Sequence, residues 1–157
     1  MILYLLRHAI ARPAGSGPDQ DRDRPLAPAG QQQAQAVATA LRDAGIRRVL
    51  SSPALRCLET LAPLAEACPD VVIERDPRLL EGASLHGLLD LVKELRDEPT
   101  LLCSHGDLIP ELIEHFRRSG LRLASPPRCQ TGSTWRVEHR HGTWSARYLP
   151  ALDVPDV

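Results

Sequence analysis

Hydrophobic residues fall into two kinds of run along this chain. Short, almost continuous apolar runs read as strands covered on both faces, and apolar positions three or four apart read as amphipathic helices. Residues 2–6 form the first strand. Residues 11–25, rich in Gly, Pro, Asp and Arg, read as a long polar loop. A helix begins near Pro28 and runs through residues 31–43, with Ala34, Val37, Ala38 and Leu41 as its stripe and Gly45 as its stop. Residues 47–50 form a second strand. Ser52 then reads as an N-cap with Pro53 at the first helical position, and Leu55, Leu58, Leu61, Leu64 and Ala65 share one face of that helix. A third strand at 71–73 leads to a helix over 85–95, stopped by Asp97-Glu98-Pro99. Residues 100–103 are a fourth strand. The helix over 107–118 places Ile109, Leu112, Ile113 and Phe116 at helical spacing, and 119–131 is a loop. The tail alternates: 134–138 and 143–148 read as hairpin strands around a turn at 139–142, with Trp135 and Trp144 packing them onto the helices.

Strands alternating with helices predict an α/β fold, a three-layer α/β/α sandwich whose central sheet is mostly parallel and closes in an antiparallel hairpin. A chain of 157 residues and 17.3 kDa is the size of one domain, here 1–157. With 43% hydrophobic and 25% charged residues, it is neither disordered nor fibrous. Aromatics are only 3%, so aliphatic side chains must fill the core. A formal charge of −1 and a pI near 6.6 argue against nucleic acid as a partner. The basic residues are arginines apart from Lys93, and Pro numbers 14, which suggests a GC-rich, bacterial genome and no particular function. No apolar run reaches the length of about 18 residues that a membrane helix needs. The first apolar stretch lacks a preceding basic region and is interrupted by Arg7 and His8, unlike a secretion signal. Cys57, Cys68, Cys103 and Cys129 show no C-x-x-C spacing and are expected as buried free thiols in a reducing cytoplasm.

In an open α/β sheet, ligands bind beyond the carboxyl ends of the strands. The first strand ends in Leu6-Arg7-His8-Ala9, the second runs into Ser51-Ser52-Pro53-Ala54-Leu55-Arg56, and the fourth ends in Cys103-Ser104-His105-Gly106-Asp107. Leu79-Leu80-Glu81-Gly82 falls between them. Two histidines, two arginines and a glutamate would thus gather on one rim. Phosphoryl transfer uses such a set. Arginine presents a planar fork of donors to phosphoryl oxygens, and the chemistry is mostly positioning and charge stabilisation. A neutral histidine attacks phosphorus and splits one hard step into two. Nearby arginines keep it neutral. A carboxylic acid then protonates an alkoxide leaving group. Arginines and a second histidine neutralise charge, so the scheme needs no metal and no cofactor.

These segments resemble the histidine phosphatase superfamily: Leu-Arg-His-Ala, then Ser-Ser-Pro-Ala-Leu-Arg-Cys-Leu-Glu-Thr, then Cys-Ser-His-Gly, in order. That superfamily includes phosphoglycerate mutases, acid phosphatases and small SixA-type phosphohistidine phosphatases. The short length and Arg24-Pro25-Leu26 followed by Gly30 look most like the SixA-type group, and also like phosphatase domains fused to Nudix hydrolases. The resemblance implies a phosphoglycerate mutase-like fold. It implies that His8 becomes phosphohistidine, that Arg7, Arg56 and His105 hold the phosphoryl oxygens, and that Glu81 is the general acid, with Glu74 and Asp107 as alternatives. Arg24 would add charge at the pocket edge. Ala9 replaces the family's usual glycine after Arg-His.

Other chemistries fail on spacing. No cysteine is followed by an arginine six positions on, Gly82-Ala83-Ser84-Leu85-His86 lacks the second glycine of a serine-hydrolase elbow, and no Walker loop or dinucleotide fingerprint occurs. His139 and His141 sit on the expected hairpin turn without further ligands, His86 and His115 read as surface residues, and Cys103 reads as a buried strand residue. The expectation is a metal-independent phosphatase acting on a phosphorylated small molecule or a phosphohistidine protein, with no membrane partner. The length leaves little room for the shielding segments of a mutase. The rival reading is an inactive phosphate- or phosphoprotein-binding module of the same fold. The loop at 11–25 is the expected specificity element.

Overall fold

A computed structural model describes residues 1–15, 18–124 and 126–155. The strands are β1 Ile2–Arg7, β2 Arg48–Ser51, β3 Ile73–Arg75, β4 Thr100–Ser104, β5 Thr134–Arg140 and β6 Thr143–Leu149. They form one sheet in the order β3-β2-β4-β1-β5-β6. The β3–β2, β2–β4 and β4–β1 pairs are parallel, and β1–β5 and β5–β6 are antiparallel. The helices are α1 Pro18–Arg22, α2 Pro28–Leu41, α3 Leu55–Ala67, α4 Leu85–Glu94 and α5 Leu108–Arg118, with a 3₁₀ turn at Pro77–Leu79. The α/β/α sandwich with a mostly parallel sheet and a closing hairpin is therefore the observed fold.

Side-chain alternation in β1 divides the core. Leu3 and Leu5 pack with Leu88, Leu91, Leu112 and Phe116 of α4 and α5. Tyr4 and Leu6 point the other way, onto Val37, Leu41, Leu61 and Leu64 of α2 and α3. This is the period-two consequence of a strand with helices on both faces. Each fully buried aliphatic side chain contributes roughly 1.5–3 kcal/mol, so a core poor in aromatics is built by number. The chain leaves β1 through α2 toward β2, and leaves the adjacent β4 through α5 toward β5. The connections diverge between two neighbouring parallel strands, which opens a crevice at their carboxyl ends.

Several elements differ from the sequence reading. The loop at 11–25 contains α1, and Ala11 bridges Leu26 in antiparallel fashion. A one-turn helix is marginal alone. Here Asp21 ties it to Arg24 and Arg56. Ser16 and Gly17, at the middle of that expected loop, lie outside the described residues. Ser52 is not an N-cap, because α3 starts after Ala54, two residues later. The buried face of α3 is Arg56, Cys57, Thr60, Leu61 and Leu64, while Leu55, Leu58 and Ala65 are half-buried. Burial of the Arg56 guanidinium sets that rotation of the helix. The third strand lies at Ile73–Arg75 rather than 71–73, since only there does it meet Val49–Ser51 in register. The hairpin strands run further than expected, and the turn narrows to His141 and Gly142, both at positive φ (51° and 75°). That backbone suits a two-residue hairpin turn. Trp144 stacks on Phe116 of α5 at 4.8 Å between ring centroids, and Trp135 is buried in the core, as expected of both.

Candidate active site

The rim of the crevice is built by strand ends that carry polar residues out of the core. Backbone bonds extend the sheet past its strands: His8 N–H donates to Ser104 O (3.1 Å) and Ser52 N–H to Cys103 O (2.9 Å). His8 and His105 are thereby neighbours, their ring centroids 5.3 Å apart and nearly edge to face.

His8 is 7% exposed. Its Nδ1 lies 2.8 Å from the carbonyl oxygen of Ala9. A carbonyl only accepts, so Nδ1 carries the proton and Nε2 keeps its lone pair. Burial first, then the nearby His105, Arg56 and Arg7, bring the His8 pKa down to about 3. The imidazole is therefore neutral at ordinary pH, the state a nucleophile needs.

Arg56 is 1% exposed. Its Nη1 donates to Asp21 O (2.9 Å), and its Nη2 faces Glu81 Oε2 (3.2 Å), His105 Nδ1 (3.2 Å) and Asp21 Oδ2 (3.5 Å). Arginine only donates, so His105 Nδ1 accepts and its Nε2–H donates to Ser52 Oγ at 2.9 Å. Arg7 donates from Nη1 to Cys129 O at 2.6 Å. Gly106 makes room for it: a Cβ there would sit 2.7 Å from Arg7 Cζ. Among the described residues, the buried side-chain donors and acceptors without a partner are Nε of Arg7, Arg24 and Arg56. Buried donors are normally paired. Unpaired arginine donors of this kind are what an anion with several oxygens would satisfy.

The structure brings together Arg7, His8, Arg56, Glu81 and His105. Glu81 stands at the mouth, its side chain 57% exposed. Its loop is pinned on both sides, by Ser104 Oγ donating to Leu79 O (2.8 Å) and Gly82 N–H donating to Asp107 Oδ2 (2.8 Å). Asp107 thus supports Glu81, and Glu74 pairs with Arg48 on the sheet edge (2.9 Å), away from the crevice. Arg24 shares the Asp21 carboxylate with Arg56 and likewise keeps a buried Nε without a partner. Its Nη2 reaches Asp21 Oδ1 (3.2 Å) and its Nη1 donates to Arg12 O (3.1 Å).

Sequence reasoning missed Asp21, Ser52 as a partner of His105, and Thr60. Thr60 Oγ1 accepts from Ala9 N–H (2.9 Å) and donates to Arg56 O (2.6 Å), joining the His8 turn to α3. Its position four residues after Arg56 was a usable signal, since that spacing stacks both on one helix face. Asp21 left none. The four cysteines are free; Cys57 and Cys103 are buried, whereas Cys68 and Cys129 are only half-buried. Cys57 Sγ lies 3.7 Å from His105 Nε2. Among the described residues no cluster of three or more His, Cys, Asp or Glu is placed to hold a metal ion, and no helix is long and apolar enough to cross a membrane. His139 stacks on Trp144 at 4.4 Å between ring centroids, His86 is exposed, and His115 is half-buried.

A family model of the histidine phosphatase superfamily (branch 1) matches residues 3–89. The chain belongs to this superfamily. That match takes in His8, Arg56 and Glu81, and the fold carries the likeness on through His105. The chain is 29% identical to the 8-oxo-(d)GTP phosphatase of Mycolicibacterium smegmatis across 96% of this chain and 48% of that protein, so it spans about half the relative's length. A SixA-type protein of Agrobacterium tumefaciens has the same fold, with a TM-score of 0.78 and 25% identity over 95% of this chain and 97% of that one. The protein histidine phosphatase SixA complexed with tungstate gives a TM-score of 0.75 and 22% identity over 94% of both chains.

Proposed function

We propose that this histidine phosphatase hydrolyses phosphate esters through a phosphohistidine on His8. The observation that carries this reading is the His8 Nδ1 bond to Ala9 O (2.8 Å), which frees Nε2 among arginines with unpaired buried donors. Nε2 attacks phosphorus, and the bond from phosphorus to the leaving oxygen breaks. Arg7 and Arg56 stabilise charge on the equatorial oxygens, and His105, its Nδ1 accepting from Arg56 and its Nε2–H donating to Ser52 Oγ, holds the Arg56 guanidinium in place. Glu81, as the carboxylic acid, gives its proton to the leaving oxygen. Water then attacks phosphorus, the N–P bond breaks, Glu81 takes the water's proton, and inorganic phosphate leaves. No step calls on a metal.

Glu81 at 3.2 Å from Arg56 supports an ester, because an alkoxide leaving group needs a proton. The relative active on 8-oxo-(d)GTP supports nucleotide phosphates within that class. The second reading is a phosphohistidine protein, supported by the likeness to SixA-type chains. Its imidazole leaving group depends less on an acid.

Wild type, His8→Ala and Glu81→Gln are assayed with p-nitrophenyl phosphate, an alkyl phosphate, a nucleotide phosphate and a phosphohistidine peptide, each with EDTA. The expected result is loss of about three orders of magnitude or more in His8→Ala. Glu81→Gln should lose about 100-fold on the alkyl ester and far less on the phosphohistidine peptide. Wild type that binds phosphate, turns over nothing and forms no acid-labile phosphoenzyme would instead be a binding module.

A further inference from the structure

Gln33 has no place in the chemistry above, yet it is 4% exposed and touches the turn that carries the nucleophile. The carbonyl of Ala9 and the N–H of Ile10 are two ends of one peptide group. The carbonyl accepts from His8 Nδ1 (2.8 Å), and the N–H donates to Gln33 Oε1 (2.9 Å). The orientation of the Gln33 amide is determined by its other end. Nε2 donates to Thr131 O (3.2 Å) and Leu152 O (3.3 Å), two groups that only accept. Oε1 must therefore face Ile10.

The surrounding backbone is shaped for this contact. Ala27 N–H donates to Ile10 O at 2.9 Å. A Cβ on Gly30 would lie 1.9 Å from Ile10 O, so only glycine lets α2 approach so closely. Gly132, at φ +80°, leaves room for the amide, since a Cβ there would sit 3.0 Å from Gln33 Cδ. Thr60 holds the remaining side of Ala9 through its N–H (2.9 Å).

We infer that Gln33 is a positioning residue for His8, acting through the Ala9–Ile10 peptide. An acceptor on the Ile10 N–H holds that peptide plane and strengthens its carbonyl as an acceptor, as in hydrogen-bond chains generally. The carbonyl then keeps the proton on Nδ1 and aims Nε2 at phosphorus. The same amide ties the His8 turn to the loop before β5 and to the segment after β6. The inference rests on His8 being the nucleophile; its spectroscopic half does not require turnover.

The test uses two variants. Gln33→Met keeps length and removes the amide. Gln33→Glu keeps an acceptor for Ile10 and removes both donors to Thr131 and Leu152. Long-range ¹H–¹⁵N correlation spectra read the His8 tautomer, and kinetics separate kcat from KM. Wild type should show Nδ1 protonated and Nε2 bare. Gln33→Met should lower kcat about 10- to 100-fold, the scale of misplaced reacting groups, with KM nearly unchanged and the His8 signals averaging between tautomers. Gln33→Glu should retain the wild-type tautomer despite a lower melting temperature. A folded Gln33→Met with wild-type kcat and tautomer would overturn the inference. So would Gln33→Glu losing the tautomer, and that variant decides the matter where Gln33→Met does not fold. If wild type turns over no substrate while Gln33→Met still scrambles the tautomer, the nucleophile reading fails and the positioning contact stands.

Discussion

The rim above β1, β2 and β4 and the β5–β6 hairpin both hold arginines, and they treat them in opposite ways. On the hairpin, Arg136 donates to Glu138 (3.0 Å) and to the Tyr4 hydroxyl (3.3 Å), and Arg140 pairs with the same Glu138 (3.1 Å). These cations are half-buried or exposed. Glu138 is held below the usual carboxylate range, first by its bond to Arg136. On the rim, Arg56 is buried and Arg7 half-buried, and the Nε of each is buried without a partner. Exposed ion pairs add little to stability. Buried, incompletely paired cations oppose it. Under the proposed function an anion bound at the rim would compensate, and the unpaired buried Nε that Arg7 and Arg56 share with Arg24 is what sets them apart from the hairpin arginines.

The sharpest way to break this contrast is to truncate one arginine from each region. Arg56→Met should lower kcat/KM about 100- to 1000-fold, the scale of a lost transition-state donor. Arg136→Met should leave kcat within about twofold and lower the melting temperature by a few degrees at most. Steady-state kinetics and thermal melts check both. Equal losses would mean the two sets are not different in kind.

A pair of glycines gives the next largest effect. Gly106→Ala puts a methyl 2.7 Å from Arg7 Cζ and should displace that guanidinium, lowering kcat/KM about tenfold or more. Gly142→Ala meets nothing within 4 Å but must hold φ +75°. It should cost about 1 kcal/mol of stability and leave kinetics alone.

A third contrast is in pH dependence. His8 titrates near 3 when folded, against about 6.5 unfolded. Between those values the unfolded chain binds a proton that the folded chain does not. His8 thus favours folding above pH 6.5, and that contribution is lost progressively as pH falls toward 3. Denaturant titrations at pH 7 and pH 5 should show wild type losing about 1–2 kcal/mol more than His8→Phe. Spectra should show His8 neutral at pH 5. An inflection of the His8 signals near pH 6.5 would contradict the burial argument.

Much of this was legible in the chain. Residues 2–6 could only be an interior strand, since an unbroken apolar run of that length requires cover on both faces. The Ile109, Leu112, Ile113 and Phe116 stripe likewise admits one helix face, and all four are buried. Arg7, His8, Arg56 and His105 were visible because each directly ends a strand or opens the helix behind one. Glu81 was less visible, because its position depends on Ser104 and Asp107 pinning a loop from another strand. Local pattern misled at α3. The leucines at 55, 58, 61 and 64 suggest one face, yet Arg56 is buried in preference to Leu58 because its guanidinium has partners on α1, on Glu81 and on His105.

By itself, then, the sequence determined the layers, the parallel sheet and the strand ends where chemistry collects. Those follow from periodicity and chain order, which are local quantities. Only the tertiary structure decided which carboxylates reach Arg56, that Arg24 shares Asp21 with it, and that Gln33 lies behind His8. Each depends on where separate segments meet, at distances of about 3 Å, and no spacing along a single helix or strand encodes that.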